Sequence, residues 1–341
     1  MKSAELVEPP VTPQARGTRL KIAGKWAKNG GPLAALFLLT ILGAFLNPSF
    51  LSWNNLSNVL TRSAFIGIIS VGGTFVIVTG QIDLSVGAMA AFIASLMIIV
   101  INQFADSGMA LPLAIGVGMI LGLVIGLLSG LMNGLLATLG KIDSFIVTLG
   151  TMGIFRSLVI FVANGGTLTL NPNIREVYRP VFYDSWFNVP IPIWVLAVVV
   201  VAGAVALAKT PFGRYCRAVG SNAEVAHYSA IHVNRIRVIA FVVQGFCVGL
   251  ATLLYVPRLG SASSSTGVLW ELEAITAVVV GGTALRGGTG RVSGSIIGAL
   301  ILTMIGNILN LTNIISVYLN GAVQGVIILG AALLQRNSRT R

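Results

Sequence analysis

Long apolar runs without alternation constrain this chain more than any motif in it. Ten can be marked, at 32–46, 64–79, 84–101, 111–139, 144–163, 191–208, 238–257, 272–282, 292–311 and 315–334. Crossing a hydrocarbon core about 30 Å thick takes about 20 mostly apolar residues as a helix, fewer where flanking groups snorkel. Only 9% of the 341 residues are charged, against roughly 25% in soluble domains. Water is therefore not the main solvent of this fold. A transmembrane barrel is excluded, because its strands alternate in polarity over about ten residues and these runs are apolar on every side. The expectation is an all-α, polytopic membrane protein of about ten transmembrane helices, the eighth run being short for a crossing.

Charge sets the orientation. With ten crossings and the N-terminus inside, seventeen of the 22 lysines and arginines fall on the cytoplasmic side, as the positive-inside rule requires. The domain reading is a basic cytoplasmic tail (1–31), a transmembrane domain (32–335) with a long cytoplasmic loop at about 209–237, and a cytoplasmic C-terminal tail (336–341). Trp53, Trp186, Trp194 and Trp270 fall at the outer ends of runs, where amphipathic rings prefer the headgroup layer. The formal net charge of +12 is accounted for by topology and anionic lipid. Nucleic acid is not an expected partner. Cys216 and Cys247 have no metal-ligand spacing, and no metal site is expected.

Within the runs, Gly118, Gly122, Gly126, Gly130 and Gly134 recur every four residues and line one stripe of a helix, where another backbone can approach closely. A weak internal echo pairs Val71-Gly72-Gly73-Thr74 with Val280-Gly281-Gly282-Thr283, and transporters often contain repeats.

Three polar interruptions could carry function. At Thr79-Gly80-Gln81-Ile82-Asp83-Leu84-Ser85-Val86-Gly87, a carboxylate and glycines stand between two apolar runs. Polar backbone at membrane depth is tolerated where it faces protein or a watery cavity. Two readings stay open: Asp83 and Ser85 line a solute path, or they cap the helix starting near Leu84. The second interruption, 210–231, offers Ser221 or Asn222 as the cap of a short helix with Glu224 near its positive end. That helix could be gripped by a soluble partner, or the loop could be merely solvated. The third places Glu271 and Glu273 in the first turn of a helix that runs into a glycine cluster holding Gly281, Gly282 and Gly288. That cluster lacks the phosphate-binding Gly-x-x-x-x-Gly-Lys-Ser/Thr pattern. Arg156 lies inside an apolar run, where a cation is functional, snorkels or pairs structurally. No constellation of catalytic side chains is present, so an enzyme is not expected.

These residues resemble the ribose-type sugar permeases of bacterial ATP-binding cassette (ABC) importers, in the wider group that includes branched-chain amino-acid permeases. The resemblance is carried by Gly80-Gln81-Ile82-Asp83-Leu84-Ser85-Val86-Gly87, by Phe212-Gly213-Arg214 with Ala218-Val219-Gly220-Ser221-Asn222-Ala223-Glu224-Val225-Ala226, and by Glu271-Leu272-Glu273-Ala274-Ile275 through Gly288-Thr289-Gly290. Gln81, Ser157, Ala230 and Thr252 depart from the family's usual glycines. The resemblance implies a type II importer permease in the bacterial inner membrane. It would work as a homodimer or heterodimer with a second permease subunit, two cytoplasmic ATPase subunits and a periplasmic solute-binding protein. ATP and Mg²⁺ would then sit on the partners, and no cofactor on this chain. Segment 212–231 would be the coupling element, through Arg214, Asn222, Glu224 and Ala226. The solute path would lie near Asp83, Ser85, Arg156 and Glu271. Alternatives are an ion-coupled secondary transporter, for which only Asp83 and Arg156 could serve as an intramembrane relay, and a permease for branched-chain amino acids.

Overall fold

The computed structural model describes residues 16–312 and positions 319, 321, 322, 325, 326 and 330, with the backbone alone for 16–29. In chain order the elements are α1 (Arg16–Leu46), a 3-10 turn (Pro48–Leu51), α2 (Trp53–Val78), α3 (Val86–Asp106), α4 (Leu111–Leu139), α5 (Ser144–Val162), β1 (Leu168–Thr169), α6 (Pro172–Tyr178), α7 (Pro180–Tyr183), β2 (Ser185–Trp186), β3 (Val189–Pro190), α8 (Ile191–Lys209), α9 (Pro211–Ser221), α10 (Ala223–Tyr228), α11 (Val233–Leu259), β4 (Ser261–Ala262), α12 (Trp270–Val280) and α13 (Val292–Thr312). Polar side chains start several helices by accepting from free first-turn amides. Ser52 does so for Asn55 ahead of α2, Asp143 for Phe145 ahead of α5, and Thr210 for Gly213 ahead of α9.

Seven of these helices are long and apolar enough to cross a membrane: α2, α3, α4, α5, α8, α11 and α13. The first apolar run is the 17-residue stretch Gly30–Leu46 of α1. That helix continues through the expected boundary at residue 31, with Pro32 inside it. The eighth run becomes α12, whose 11 residues rise only about 16 Å at 1.5 Å each. It is half a crossing. The tenth run and the C-terminal tail lie almost wholly outside the described residues, as does the start of the basic tail.

The bundle has two distinct ends. Near one, the close of α2, the loop 140–143, α9, α10 and the loop 281–291 gather with Lys141, Lys209, Arg214, Arg217, Arg286 and Arg291. The Gly288 amide donates to the Val78 carbonyl over 2.9 Å, and Gly220 abuts both Val78 and Gly288. At the other end β4 pairs antiparallel with β1, Leu168 opposite Ala262, and Tyr178 buries its ring while its hydroxyl donates to the Leu253 carbonyl. The chain therefore travels from β4 at that end to Val280 at the basic end, first as irregular backbone (263–269) and then as α12.

The centre of the packing is α11, which lies against α2, α3 and α4. The glycine stripe of α4 is divided between two partners. Gly118 and Gly122 face Met97 and Ile101 of α3, whereas Gly126, Gly130 and Gly134 meet the backbone of α11 at Gly245, Gly249, Phe241 and Val238. Glycine is required on both sides, since a β-carbon on Gly245 would overlap the Gly126 carbonyl. The two Val-Gly-Gly-Thr segments are not equivalent. Val71–Thr74 is internal to α2, whereas Val280 closes α12 and Gly281–Thr283 form the turn beyond it.

Candidate functional site

Two interrupted helices meet inside the bundle. On the first, the chain leaves α2 at Gly80, whose φ of +77° is open to glycine at little cost. It then runs extended beside α5, where the Ile82 amide donates to Ser144 Oγ and the Leu84 amide to Thr148 Oγ1, both over 3.1 Å. Asp83 Oδ1 accepts from the Ser85 amide (2.9 Å) and the Ser85 hydroxyl (2.7 Å). The hydroxyl in turn accepts from Asn133 Nδ2 of α4 over 2.8 Å. All three side chains are buried, and Asp83 Oδ2 and Asn133 Oδ1 are left as buried oxygens without a partner. The capping expectation needs correcting in detail. The helix begins at Val86 rather than Leu84, Ser85 makes no side-chain cap bond, and Asp83 serves Ser85 itself rather than the first turn of α3.

Asp83→Ala would strand the buried Ser85 amide and hydroxyl, a loss of about 1–3 kcal/mol per unsatisfied group. Asp83→Asn keeps an acceptor of the same shape. Thermal unfolding of the detergent-solubilised protein should show a clear drop for the alanine variant and a much smaller one for asparagine.

The second interruption is 263–269. It packs on the first turn of α3 so closely that a β-carbon on Gly87 would overlap the Gly267 carbonyl and come within 2.5 Å of Glu271 Oε2. Gly267 itself has φ +67° and Leu269 has φ +70°, so α12 is entered through a sharp left-handed turn. Arg156, 12 residues into α5 and so about 18 Å from its start, reaches across to this segment. Its Nη1 donates to the carbonyls of Ser264 (2.5 Å) and Thr266 (2.6 Å). The guanidinium and the Glu271 carboxylate attract one another electrostatically, and Glu271 Oε2 is buried without a hydrogen bond. The carbonyl contacts, rather than snorkelling to an interface, are what satisfy Arg156.

At the basic end, α9 and α10 lie across the ends of α2, α8 and α11. Phe212 stacks on Phe75 of α2 at 5.6 Å, and Gly213, Cys216 and Val219 turn inward. Burial pushes the Cys216 thiol up to about 12, so it is inert at neutral pH. Asn222 begins α10 by accepting from the Val225 amide over 3.0 Å. Ala226 is buried beneath α10 with Cys216 and Ile236 in one apolar cluster. Arg214, Tyr215, Glu224, Val225 and Tyr228 point away from the bundle, and Tyr228 is 88% exposed. Gly281 packs on Gly294, Gly282 (φ +93°) has open space around its α-carbon, and Gly288 (φ +79°) lies against Ser221.

The eight path and coupling positions marked from sequence thus separate into two groups. Asp83, Ser85, Arg156 and Glu271 belong to the meeting of the interrupted helices, and Arg214, Asn222 and Glu224 to the surface at the basic end, whereas Ala226 is buried beneath that surface and supports it rather than facing outward. Two contributors escaped the sequence reading: Asn133, a single amide within the apolar α4, and the hydroxyl-rich stretch Ser261-Ala262-Ser263-Ser264-Ser265-Thr266. The second was visible as five hydroxyl residues in six, placed between two apolar runs. Among the described residues no group of His, Cys, Asp and Glu could hold a metal.

The profile of the family described as branched-chain amino acid transport system / permease component matches residues 55–332. The chain belongs to this permease family. Among curated relatives, the permease is 41% identical over 309 residues to a ribose import permease protein of Bacillus subtilis, covering 90% of this chain and 92% of that one. It is 37% identical over 285 residues to the ribose import permease protein of Haemophilus influenzae, 83% and 86% of the two chains. It is 32% identical over 306 residues to an L-arabinose transport system permease protein of Escherichia coli, 90% of each. No solved structure matches the permease significantly.

Proposed function

We propose that this permease carries a monosaccharide inward as the membrane-spanning subunit of an ABC importer. The observation that carries the reading is the near full-length similarity to ribose and L-arabinose permeases, which runs through both interrupted helices and the basic surface. The permease would sit in the bacterial inner membrane with both termini cytoplasmic and pair with a second permease subunit. ATPase subunits would dock at its basic end, where ATP and Mg²⁺ belong to them, and a solute-binding protein would dock at the opposite end.

The geometry supports a route for the force. A motor subunit gripping Arg214, Glu224 and the exposed face of α10 would move α9. Gly220 and Ser221 at the close of α9 abut Val78 and Gly288, so motion there reaches the end of α2 and the loop before α13 without a flexible link. Gly80 then connects α2 to the extended Asp83 segment. Alternating access would follow from small shifts of packed helices that open and shut the meeting of the interrupted helices, a known repertoire for such transitions. No covalent step occurs in this chain.

Co-expression with candidate ABC ATPase subunits, followed by purification through a tag on the permease, tests the reading. A stoichiometric complex is expected, in which the solute-binding protein raises ATP hydrolysis when loaded with sugar. Recovery of the folded permease alone, with no ATPase subunit bound, would contradict it.

A further inference from the structure

The segment from Ser263 to Thr266 is chemically unlike everything around it. It lies between β4 at one end and α12, whose loop reaches the other, and it consists of hydroxyl residues of which only Thr266 is buried. Ser263 Oγ and Ser265 Oγ share a hydrogen bond of 2.8 Å, the Ser265 amide donates to Ser263 Oγ, and the Ser263 amide donates to Thr266 Oγ1. Ser265 is exposed, and Ser263 is partly so. Apolar packing does not explain them.

The backbone beneath these hydroxyls is held from two sides. Arg156 grips the carbonyls of Ser264 and Thr266, and Gly267 is pressed against Gly87. Arg156 directs Nη1 to those contacts, and Glu271 Oε2 beside Gly87 is buried without a hydrogen bond. Mutually bonded hydroxyls on a fixed backbone can exchange their bond to each other for bonds to a solute hydroxyl, because each is both donor and acceptor. The exchange is nearly neutral in energy, which suits passage better than storage.

We propose that Ser263 and Ser265, held in place by the Arg156 clasp and flanked by Glu271, form the surface over which a polyhydroxylated solute passes the middle of the permease. The inference rests on the sugar reading and adds to it the place of contact. An aliphatic amino acid offers such a surface only its charged ends, so the chemistry favours polyols.

The test uses the assembled importer in proteoliposomes, with D-ribose, L-arabinose and L-leucine as probes. In Ser263→Ala/Ser265→Ala complexes that assemble with their ATPase subunits as the wild type does, sugar imported per ATP hydrolysed should fall at least fivefold. A second variant keeps the proposal exposed if the first fails to assemble. Both native thiols are buried, so Ser265→Cys supplies the one accessible thiol among the described residues. Its modification by a small methanethiosulfonate reagent should block import of the sugar, and saturating sugar under turnover should slow the modification. Normal import by the double alanine variant, or by the fully modified Ser265→Cys protein, overturns the contact surface while leaving the sugar reading standing. A wild-type importer that moves L-leucine and neither sugar overturns both.

Discussion

Gly126→Val and Gly130→Val should each abolish recovery of folded permease from membranes, while Gly116→Val in the same helix should leave recovery close to wild type. The difference lies in what faces each glycine. A β-carbon at Gly126 would sit 3.2 Å from the Gly249 α-carbon and would overlap the Gly245 carbonyl, and at Gly130 it would overlap the Phe241 carbonyl. These neighbours are backbone atoms of α11 and cannot swing aside. Accommodation requires α4 and α11 to part, and α11 is also the helix on which α2 and α3 pack. Overpacking of this kind commonly costs 1–3 kcal/mol and more where the obstacle is rigid. Gly116 has nothing within 4 Å, so valine there meets no neighbour within this chain. Size-exclusion profiles of the three variants as fluorescent fusions give the comparison directly, and equal profiles would show that the α4 stripe is not a packing surface.

The second large effect is expected at the basic end, and there it should spare the fold. Glu224→Arg should lower ATP-driven import about tenfold or more, the scale expected when a charge within a partner interface is reversed, while thermal stability of the isolated permease stays unchanged. Glu224 is exposed, so its side chain supports nothing inside the bundle. Ala226→Trp should lower import as strongly by a different route. Ala226 is 3% exposed beneath α10, and an indole there would lift α10 off Cys216 and Ile236 and misplace the whole docking face. Import and melting temperature measured side by side separate the two mechanisms, since only Ala226→Trp should also soften the fold. Undiminished import by both variants would remove α10 from the coupling route.

The crossing helices were largely legible because a membrane span announces itself by composition: the run at 111–139 coincides with α4, and that at 144–163 ends one residue beyond α5. Helix length in a bilayer is set by solvent, so pattern alone finds it. What was not legible is whatever depends on a partner across the bundle. The glycine stripe showed a face of α4 but not that its two halves meet different helices. Half-helix α12 read as a short span because its residues are as apolar as those of a crossing helix, and the left-handed turn at Gly267 and Leu269 that precedes it leaves no mark in hydropathy. Asn133 was hidden by its apolar neighbours, and its use became visible only with Ser85 alongside. The same holds for Arg156, whose carbonyl partners lie more than a hundred residues away in sequence.

The central claim is that ATP hydrolysed by bound partners, and not an ion gradient, drives a sugar through this permease. Its most direct test is uptake of labelled D-ribose and L-arabinose into proteoliposomes holding the permease, its ATPase subunits and the solute-binding protein, with ATP and ion gradients supplied separately. Uptake that requires ATP and the ATPase subunits, and that persists after every ion gradient is collapsed, is the predicted result. Uptake by the permease alone under a proton or sodium gradient, indifferent to ATP, would contradict it.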